Sequence, residues 1–550
     1  MKKIDYLIIL FIISASVIVL KDLFKPGMYT SHDGIHQVVR FYYFDQILRE
    51  GQIPPRWVGG LMNGFGYPLF IFSYQLPWFI AEVIHNLGSS IIDSVKMTFL
   101  VGFAISGITM YLFQKDIFGR LPAFAGTALY LISPYRFSNI FVRGAIGDAT
   151  AFIFAPLLFW AFFHLKSSWS WRWIAIGAGA LVGLILSHVM VTALFMSSLI
   201  IYLIFFLATI KDKLSFLKSF LSVILLGSGI SAYYLIPSLV EKSNTQFQSL
   251  MSQIFIGSYF PTISELIYSK WGYGVFHSKE GAMSLQVGLT GWFVVFMTLI
   301  GVIFLPLLYR KTSKPEVELF VSGRIILVIF AFTIFMMLPA SLPIWKIISP
   351  VVFVDFPWRY LAVITFFVSL CAGLLIALIK RFEFILTLFL ILSALYFNRN
   401  HLRINETLGW DLPFMLKLER TTNSFDEYKP KWVKEEFIKE KKPRIEFSDS
   451  NAKITINKVI SNYQKFTINN KEDGKVRVNT IYYPGWELFV NGKSKVINYQ
   501  STGLIEFDLD SGNSEIILKF VDTPLRKLSN ALSLFSIGIL LFGFIKYRKV

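Results

Sequence analysis

The segment at residues 31–36, with sequence SHDGIH, places one carboxylate between two imidazoles, directly after an apolar run of near membrane length at 6–20. Carboxylates and imidazoles are the side chains that most often carry protons in enzyme reactions. The alternative is that Ser31 or Asp33 caps a helix beginning near Ile35, because a side-chain oxygen there accepts hydrogen bonds from free backbone amides. For Asp33 we favour catalysis over capping, since an acid with neighbouring histidines at a membrane edge is costly without a use.

Asp148 is the second candidate acid. It lies at the start of an apolar run at 149–165, and Arg143 precedes it in a short polar loop at 136–148. Two such acids can share a metal ion or divide base and electrostatic roles. A partner for the helix dipole explains Asp148 equally well, and Arg143 has the alternative of lying among lipid headgroups.

The other candidates are residues that would bind substrate. Arg359 follows a proline at the start of an apolar run, and its planar guanidinium suits phosphate oxygens; the alternative is that it extends to the membrane surface. His188 interrupts the apolar stretch 172–209, where a lone imidazole is more often a hydrogen-bonded corner than a ligand. Three more candidates lie in the first polar loop: His32, His36 and Arg56.

The composition predicts an integral membrane protein. Of the 550 residues, 54% are hydrophobic and 16% charged, and the mean hydropathy is +0.57, which is far too apolar for a soluble globule. The net charge of +18 does not indicate nucleic-acid binding, because the basic residues fall in short runs between apolar segments. The single cysteine, Cys371, allows no disulfide within the chain. Nucleotide-binding motifs of the GxxxxGK[ST] and GxGxxG types are absent, so a transferred group would be activated elsewhere and delivered in the membrane.

Apolar runs near membrane length predict about twelve transmembrane helices. The first run follows two lysines and lacks a cleavage site, so we interpret it as a retained signal anchor. The stretch 69–87 is ambiguous, and we place it in the membrane interface. The predicted spans are 6–20, 94–113, 118–135, 149–165, 172–187, 190–209, 217–238, 287–308, 324–341, 359–379, 382–397 and 528–545.

The distribution of basic residues predicts which side of the membrane each loop occupies. With 69–87 in the interface, the short basic loops all fall on the same side as the two chain termini, and cytoplasmic loops are the ones enriched in Lys and Arg. The long loops, including the first one at 21–93, then face outward. The sequence therefore predicts a multi-pass plasma-membrane protein with cytoplasmic termini and its working surface outside.

A β-rich domain is predicted outside the membrane at 398–527. From about 443 to 522 the chain alternates apolar and polar residues, with turn signals about every ten residues. Asn491-Gly492 and Asp473-Gly474 are predicted hairpin turns. The expected architecture is a GT-C-like transmembrane domain at 1–397, a small β-sandwich of about eight strands, and a final helix with a basic tail at 528–550.

These motifs, in this order, resemble the GT-C class of integral-membrane glycosyltransferases. They resemble most closely its bacterial members with a carboxy-terminal β-domain, often labelled 6-pyruvoyl-tetrahydropterin synthase-related. The resemblance covers nearly the whole chain and rests on these segments: Asp33, 51–57, 67–70, 76–78, 143–148, 186–188, 356–359 and 483–486. It implies that Asp33 and Asp148 match the acids of the first and second external loops.

The resemblance also implies an activity, which is transfer of a sugar from a polyprenyl-phosphate-linked donor to a glycan, lipid or protein acceptor of the cell envelope. Asp33 would be the base, and Arg143, Arg359 and His36 would stabilise the phosphate. Relatives often carry a second acid at the position of Gly34, so we name no metal ligands and leave a divalent cation open. The alternatives are a transporter or flippase of lipid-linked glycans, which needs ionisable residues within its spans, and a non-catalytic envelope-assembly protein.

Overall fold

The fold is that of a helical membrane protein with a β-sandwich, as the sequence predicts. A computed structural model describes residues 2–251, 259–275, 280–308, 314–348, 354–448 and 452–547. The basic loop predicted around Arg310 and Lys311 lies outside these residues. The helices up to residue 165 are α1 Lys3–Val19, α2 Gly34–Arg49, α3 Leu69–Phe72, α4 Leu76–Asn86, α5 Ile91–Phe118, α6 Arg120–Leu131, α7 Pro134–Phe137, α8 Ile146–Ala151 and α9 Phe154–Leu165.

The later helices complete the transmembrane region and flank the β-domain. They are α10 Trp171–Ser187, α11 Val189–Thr209, α12 Lys213–Ile230, α13 Ala232–Val240, α14 Phe247–Met251, α15 Ile263–Ile267, α16 Leu289–Leu308, α17 Lys314–Met336, α18 Leu342–Ile348, α19 Leu361–Leu378, α20 Glu383–Asn398, α21 Leu412–Leu418 and α22 Pro524–Lys546. Helix α19 is apolar on every side, and almost all of its residues are buried. Such a helix belongs in the centre of a bundle, and α19 packs against α6, α16 and α17 there.

Eight of the twelve predicted spans coincide with helices that are long and apolar enough to cross a membrane in the described part of the chain. The other four predicted spans form α1, α6, α10 and α11, of which α6 has only 12 residues. The ambiguous stretch 69–87 is divided between α3 and α4, with 4 and 11 residues. Neither helix could cross a bilayer, which requires about 20 residues.

Each end of the chain contacts one of the predicted cytoplasmic loops. Asp5 of α1 pairs with Arg120 at 2.8 Å and with Lys115 at 3.5 Å. Near the other terminus, the ring of Tyr547 lies 4.9 Å from that of Trp169, in the loop before α10. The amino-terminal helix therefore contacts the predicted basic loop around Lys115 and Arg120, and the carboxy-terminal helix contacts the loop before α10.

The β-domain consists of two packed antiparallel sheets with eight strands, after a short pair formed by β1 Met28–Tyr29 and β2 Thr407–Leu408. One sheet has the order β4-β5-β10-β7-β8 and the other β3-β6-β9. Alternating residues of β5 and β10 are buried, as expected for strands with one face on a core. The strands are β3 Ile445–Phe447, β4 Lys453–Ile460, β5 Tyr463–Asn470, β6 Gly474–Ile481, β7 Trp486–Val490, β8 Lys493–Lys495, β9 Leu504–Leu509 and β10 Gly512–Phe520.

One of the two predicted hairpin turns is wrong. Asn491 and Gly492 join the paired strands β7 and β8, and both have positive φ, as a two-residue hairpin requires. Asp473-Gly474 instead joins β5 to β6, which belong to different sheets. Gly474 is not in the left-handed region, so the chain there crosses between sheets and does not reverse within one.

The loop at 21–93 is joined to the β-domain by aromatic packing and by an ion pair between Arg56 and Asp522. The fully buried ring of Trp57 lies 5.7 Å from that of Trp486 and 5.3 Å from that of Phe520. In the same region Arg526 of α22 makes two hydrogen bonds to Glu241, both inside the protein. The motifs at 51–57 and 483–486 are thus brought together as a packed joint.

Candidate active site

Asp148 is the centre of a buried cluster of charged residues. Its carboxylate accepts a hydrogen bond of 2.7 Å from Nη1 of Arg143 and bonds of 3.0 and 3.1 Å from Nη1 of Arg359. Nε2 of His188 lies 3.4 Å from Oδ1 of the same carboxylate. Four residues that the sequence analysis singles out, from three separate segments, therefore meet at one carboxylate.

Arg359 is held in place by a second acid. Nε and Nη2 of Arg359 donate to the two oxygens of Asp355 at 2.6 and 2.7 Å, in the bidentate geometry that fits guanidinium to carboxylate. Since Nη1 donates to Asp148, each nitrogen of Arg359 has a carboxylate partner. Arg359 is therefore fixed before any ligand is bound.

Arg143 is positioned by an unusual stretch of backbone and is less fully engaged. Residues Ser138–Arg143 form a π-helix that ends at Gly144, whose φ is +66°. Nη1 of Arg143 also donates to Asn139, and its guanidinium carbon lies 4.9 Å from the ring centre of Trp358. Nε and Nη2 of Arg143 have no hydrogen-bond partner among the described residues, so this edge of the guanidinium is available to a ligand.

Gly147 permits His188 to approach Asp148. A Cβ atom on Gly147 would lie 2.6 Å from the carbonyl oxygen of Ser187 and 2.9 Å from Cε1 of Tyr74. His188 itself has extended backbone between α10 and α11, and its ring lies 5.6 Å from that of Tyr74. Burial lowers the pKa of His188 to about 4, although the adjacent Asp148 opposes this shift.

Asp33 lies next to this cluster and does not cap a helix. It precedes α2, but its side chain makes no capping hydrogen bond. Its backbone amide donates to the carbonyl of Arg143 at 2.8 Å. Among the described residues its carboxylate has no hydrogen-bond or ion-pair partner, and it is partly exposed. The capping explanation is therefore not supported, and the carboxylate is open to a ligand.

The two candidate acids share a neighbour in Tyr74. Burial raises the pKa of the Tyr74 hydroxyl; Arg40 lowers it, and the charges of Asp33 and Asp148 raise it further. Close packing of Gly34 against Gly144 brings the two loops together, because a Cβ on Gly144 would lie 3.1 Å from the backbone nitrogen of Gly34. The acids of the first and second loops are thus within electrostatic reach of one side chain.

Three predicted binding residues contact other parts of the chain. Nε2 of His32 lies 3.1 Å from the carbonyl of Tyr273, and burial lowers the pKa of His32. Nδ1 of His36 lies 2.6 Å from a carboxylate oxygen of Glu419. Arg56 belongs to the joint with the β-domain, where it contacts the carbonyl of Tyr233, Asn530 and Asp522. Among the described residues, none of the three makes a side-chain hydrogen bond or ion pair with Asp148.

The residues around Asp148 do not fit a divalent metal ion. Both oxygens of Asp148 already accept hydrogen bonds from guanidinium groups, and a metal ion would have to displace these cations. Among the described residues, no group of three or more His, Cys, Asp or Glu side chains is arranged to hold a metal. We therefore assign no step to a metal.

Sequence reasoning missed several residues of the cluster: Tyr74, Tyr135, Asn139, Asp355 and Trp358. A signal was present for Asp355, because an acid four residues before an arginine at a helix start favours an ion pair. For Asn139 the contact depends on the π-helix, which the sequence pattern does not indicate. Tyr74 lies in the ambiguous stretch, so its position depends on how that stretch bends.

Comparison with known proteins identifies relatives of this chain. An uncharacterized protein of Lactococcus lactis subsp. cremoris (strain MG1363) is 25% identical over 344 residues, which are 60% of this chain and 54% of that protein. The chain thus spans about half the length of this curated relative. Arabinofuranosyltransferase AftD from Mycobacteria superposes with a TM-score of 0.48 at 12% identity over 72% of this chain and 27% of AftD.

The oligosaccharyltransferase of Archaeoglobus fulgidus, solved with a tethered acceptor peptide, gives a TM-score of 0.38 at 12% identity over 73% of this chain and 55% of that one. Scores and identities this low carry no argument about activity. The model of the 6-pyruvoyl-tetrahydropterin synthase related domain, described as a membrane protein, matches residues 72–403. This match covers more than half of the chain and confirms the predicted family. The chain belongs to the 6-pyruvoyl-tetrahydropterin synthase-related family of membrane proteins.

Proposed function

We propose that this protein is a glycosyltransferase of the GT-C type. It would move a sugar from a polyprenyl-phosphate-linked donor to a cell-envelope acceptor on the outer face of the plasma membrane, with both termini in the cytoplasm. The observation that carries the proposal is that Asp33, whose carboxylate is open, is adjacent through its backbone to Arg143, whose Nε and Nη2 are free of partners among the described residues. The two residues are joined by a backbone hydrogen bond of 2.8 Å.

This pair supplies what the reaction needs. The acceptor hydroxyl oxygen forms a bond to the anomeric carbon of the sugar, and the bond from that carbon to the phosphate oxygen breaks. Asp33 accepts the hydroxyl proton, and the polyprenyl phosphate leaves with the bonding electrons. Nε and Nη2 of Arg143 stabilise the charge that develops on the phosphate, as fixed cationic donors do at leaving groups.

The other members of the cluster hold this arrangement. Asp148 and Asp355 fix Arg359, and Asp148 also fixes Nη1 of Arg143. The cluster is buried, so its electrostatic interactions are stronger than they would be in water. Arg359 is thus a positioning residue for Arg143 through the carboxylate that they share.

The test is transfer from radiolabelled lipid-linked sugar in membranes that contain the wild type or Asp33→Asn. We expect the variant to accumulate normally and to lose transfer at least 100-fold, because a positioned base contributes about 10²–10⁴ in rate. Asp45→Asn is the matched control, since Asp45 is on α2, the helix that follows Asp33, and pairs with Arg49 at 2.6 Å. An Asp33→Asn protein with full transfer activity would disprove the assignment, and movement of intact donor across the membrane would indicate a flippase instead.

A further inference from the structure

The neutral tautomer of His188 is determined by its neighbours. Nε2 lies 3.4 Å from Oδ1 of Asp148, and the carboxylate accepts hydrogen bonds from two arginines. An ionised carboxylate can only accept hydrogen bonds. The proton of a neutral His188 imidazole is therefore on Nε2, which leaves a lone pair on Nδ1.

Nδ1 of His188 is a buried acceptor without a hydrogen-bond partner among the described residues. Leaving a buried polar atom unsatisfied costs about 1–3 kcal/mol, so such atoms in native proteins call for an explanation, often a ligand or water. The ring cannot turn freely to find another partner. Tyr74 packs beside it, and Gly147 lies directly against the backbone of Ser187.

Unprotonated Nδ1 and an ionised phosphate oxygen can both only accept hydrogen bonds. A phosphate oxygen therefore cannot be the partner of Nδ1. Nδ1 requires a donor, and the hydroxyl groups of a sugar are donors. The position also suits a sugar. Nη1 of Arg143 and Nε2 of His188 lie 2.7 and 3.4 Å from the two oxygens of one carboxylate. A phosphate held by Arg143 would therefore bring the sugar linked to it close to His188.

We propose that Nδ1 of His188 accepts a hydrogen bond from a hydroxyl group of the transferred sugar. The donor is then recognised in two parts on either side of Asp148: its phosphate by Arg143 and its sugar by His188. The inference rests on the proposed function, because it takes the lipid-linked sugar as the substrate. It assigns His188 to binding of the sugar and gives it no role at the phosphate.

The experiment measures binding of two kinds of lipid to the full chain in nanodiscs. The first kind is undecaprenyl phosphate, which carries no sugar. The second kind is undecaprenyl phosphate with a glucosyl, galactosyl or mannosyl group. We expect wild type to bind at least one sugar-bearing lipid more tightly than the bare phosphate lipid. His188→Leu should lose this preference, by about tenfold, and keep its affinity for undecaprenyl phosphate. His188→Gln, which retains an acceptor oxygen, should recover part of the preference.

His164→Leu is the matched control, because His164 also faces an aspartate, Asp116, at 3.2 Å, but at the carboxy-terminal end of α9, where its ring stacks on Trp173. It should leave both affinities unchanged. If His188→Leu keeps the preference for the sugar, or loses affinity for both lipids alike, the inference is wrong while the proposed function stands. If wild type binds none of these lipids, the proposed function fails, and the inference with it.

A second measurement uses the wild-type protein and needs no substitution. In protein labelled with ¹⁵N-histidine, we expect the His188 signals to show a protonated Nε2 and an unprotonated Nδ1 at neutral pH. The Nδ1 signal should move on addition of the sugar-bearing lipid and stay in place with undecaprenyl phosphate. A protonated Nδ1, or an equal response to both lipids, would overturn the inference.

Discussion

Replacement of Asp148 by Asn tests whether the buried cluster is held together by one carboxylate. The amide keeps the shape of the side chain, but it replaces one acceptor oxygen by an N–H donor that faces other donors. Nη1 of Arg143 at 2.7 Å and Nη1 of Arg359 at 3.0 Å both lose a charged acceptor. Removal of one partner from a buried ion pair costs about 3–5 kcal/mol, because the remaining charge is left uncompensated.

We therefore expect the free energy of unfolding of Asp148→Asn to fall by about 3–5 kcal/mol. The assay is reversible unfolding in mixed micelles, titrated with a denaturing detergent and followed by tryptophan fluorescence. The chain offers a matched control in Asp116, which also contacts a histidine but whose side chain is 36% exposed. Exposed pairs contribute about 0–1 kcal/mol, so Asp116→Asn should change the free energy by no more than that. Equal effects at both positions would refute the reasoning that burial and shared arginines make Asp148 essential.

Three further changes test other parts of the structure. Gly147→Ala should abolish transfer and destabilise the protein by about 1–3 kcal/mol, because the added Cβ overlaps its neighbours; Gly179→Ala, with no atom within 4 Å of its Cβ, should keep full activity. Burial would raise the pKa of Glu506, but hydrogen bonds from neighbouring side chains lower it to about 2, from an ordinary value of 4.5. Its stabilising effect is therefore complete above pH 4.5 and lost as the pH falls towards 2, and hydrogen exchange in β6 and β9 should show this loss in wild type and a smaller one in Glu506→Gln. Arg526→Met should lower the free energy of unfolding by about 3–5 kcal/mol, and adding Glu241→Met should recover most of it; no recovery would show that packing, and not the stranded charge, sets the cost.

The hydropathy pattern predicted the architecture because each solvent environment requires a particular pattern of apolar residues. A helix that crosses a bilayer has to be long and apolar. A strand with one face on a core has to alternate apolar and polar residues. The exceptions have local causes. The run 118–135 begins at the break around Gly119 and is interrupted before Pro134, so α6 is shorter than a full span. Asp473-Gly474 has the composition of a hairpin turn, but which strands pair depends on residues far away in the sequence.

The candidate site was predictable in its residue types and less so in its contacts. Asp148, Arg143, His188 and Arg359 could be selected because ionisable residues at membrane edges are rare. The sequence could not indicate that Arg359 is bonded to two carboxylates while Arg143 keeps a free edge, because this division depends on distances set by the π-helix and by Gly144. It also could not indicate that Arg56 and His36 face the β-domain, since the pairing of distant segments determines their partners.

The charges of the cluster explain why it can be buried before a ligand arrives. Arg143 and Arg359 balance Asp148 and Asp355, so the four residues carry no net charge, and each ion has a partner of opposite sign. Without these acids, burial of the two arginines would cost free energy, because their charges would be unpaired. Their side chains would then reorient towards other anions. Binding of a phosphate therefore cannot rely on an excess of positive charge. It has to rely on N–H groups of Arg143 that are already aimed and that need little reorganisation when the ligand arrives. This is why loss of Asp148, which itself touches no ligand in the proposed reaction, is expected to be as harmful as loss of the arginine that does.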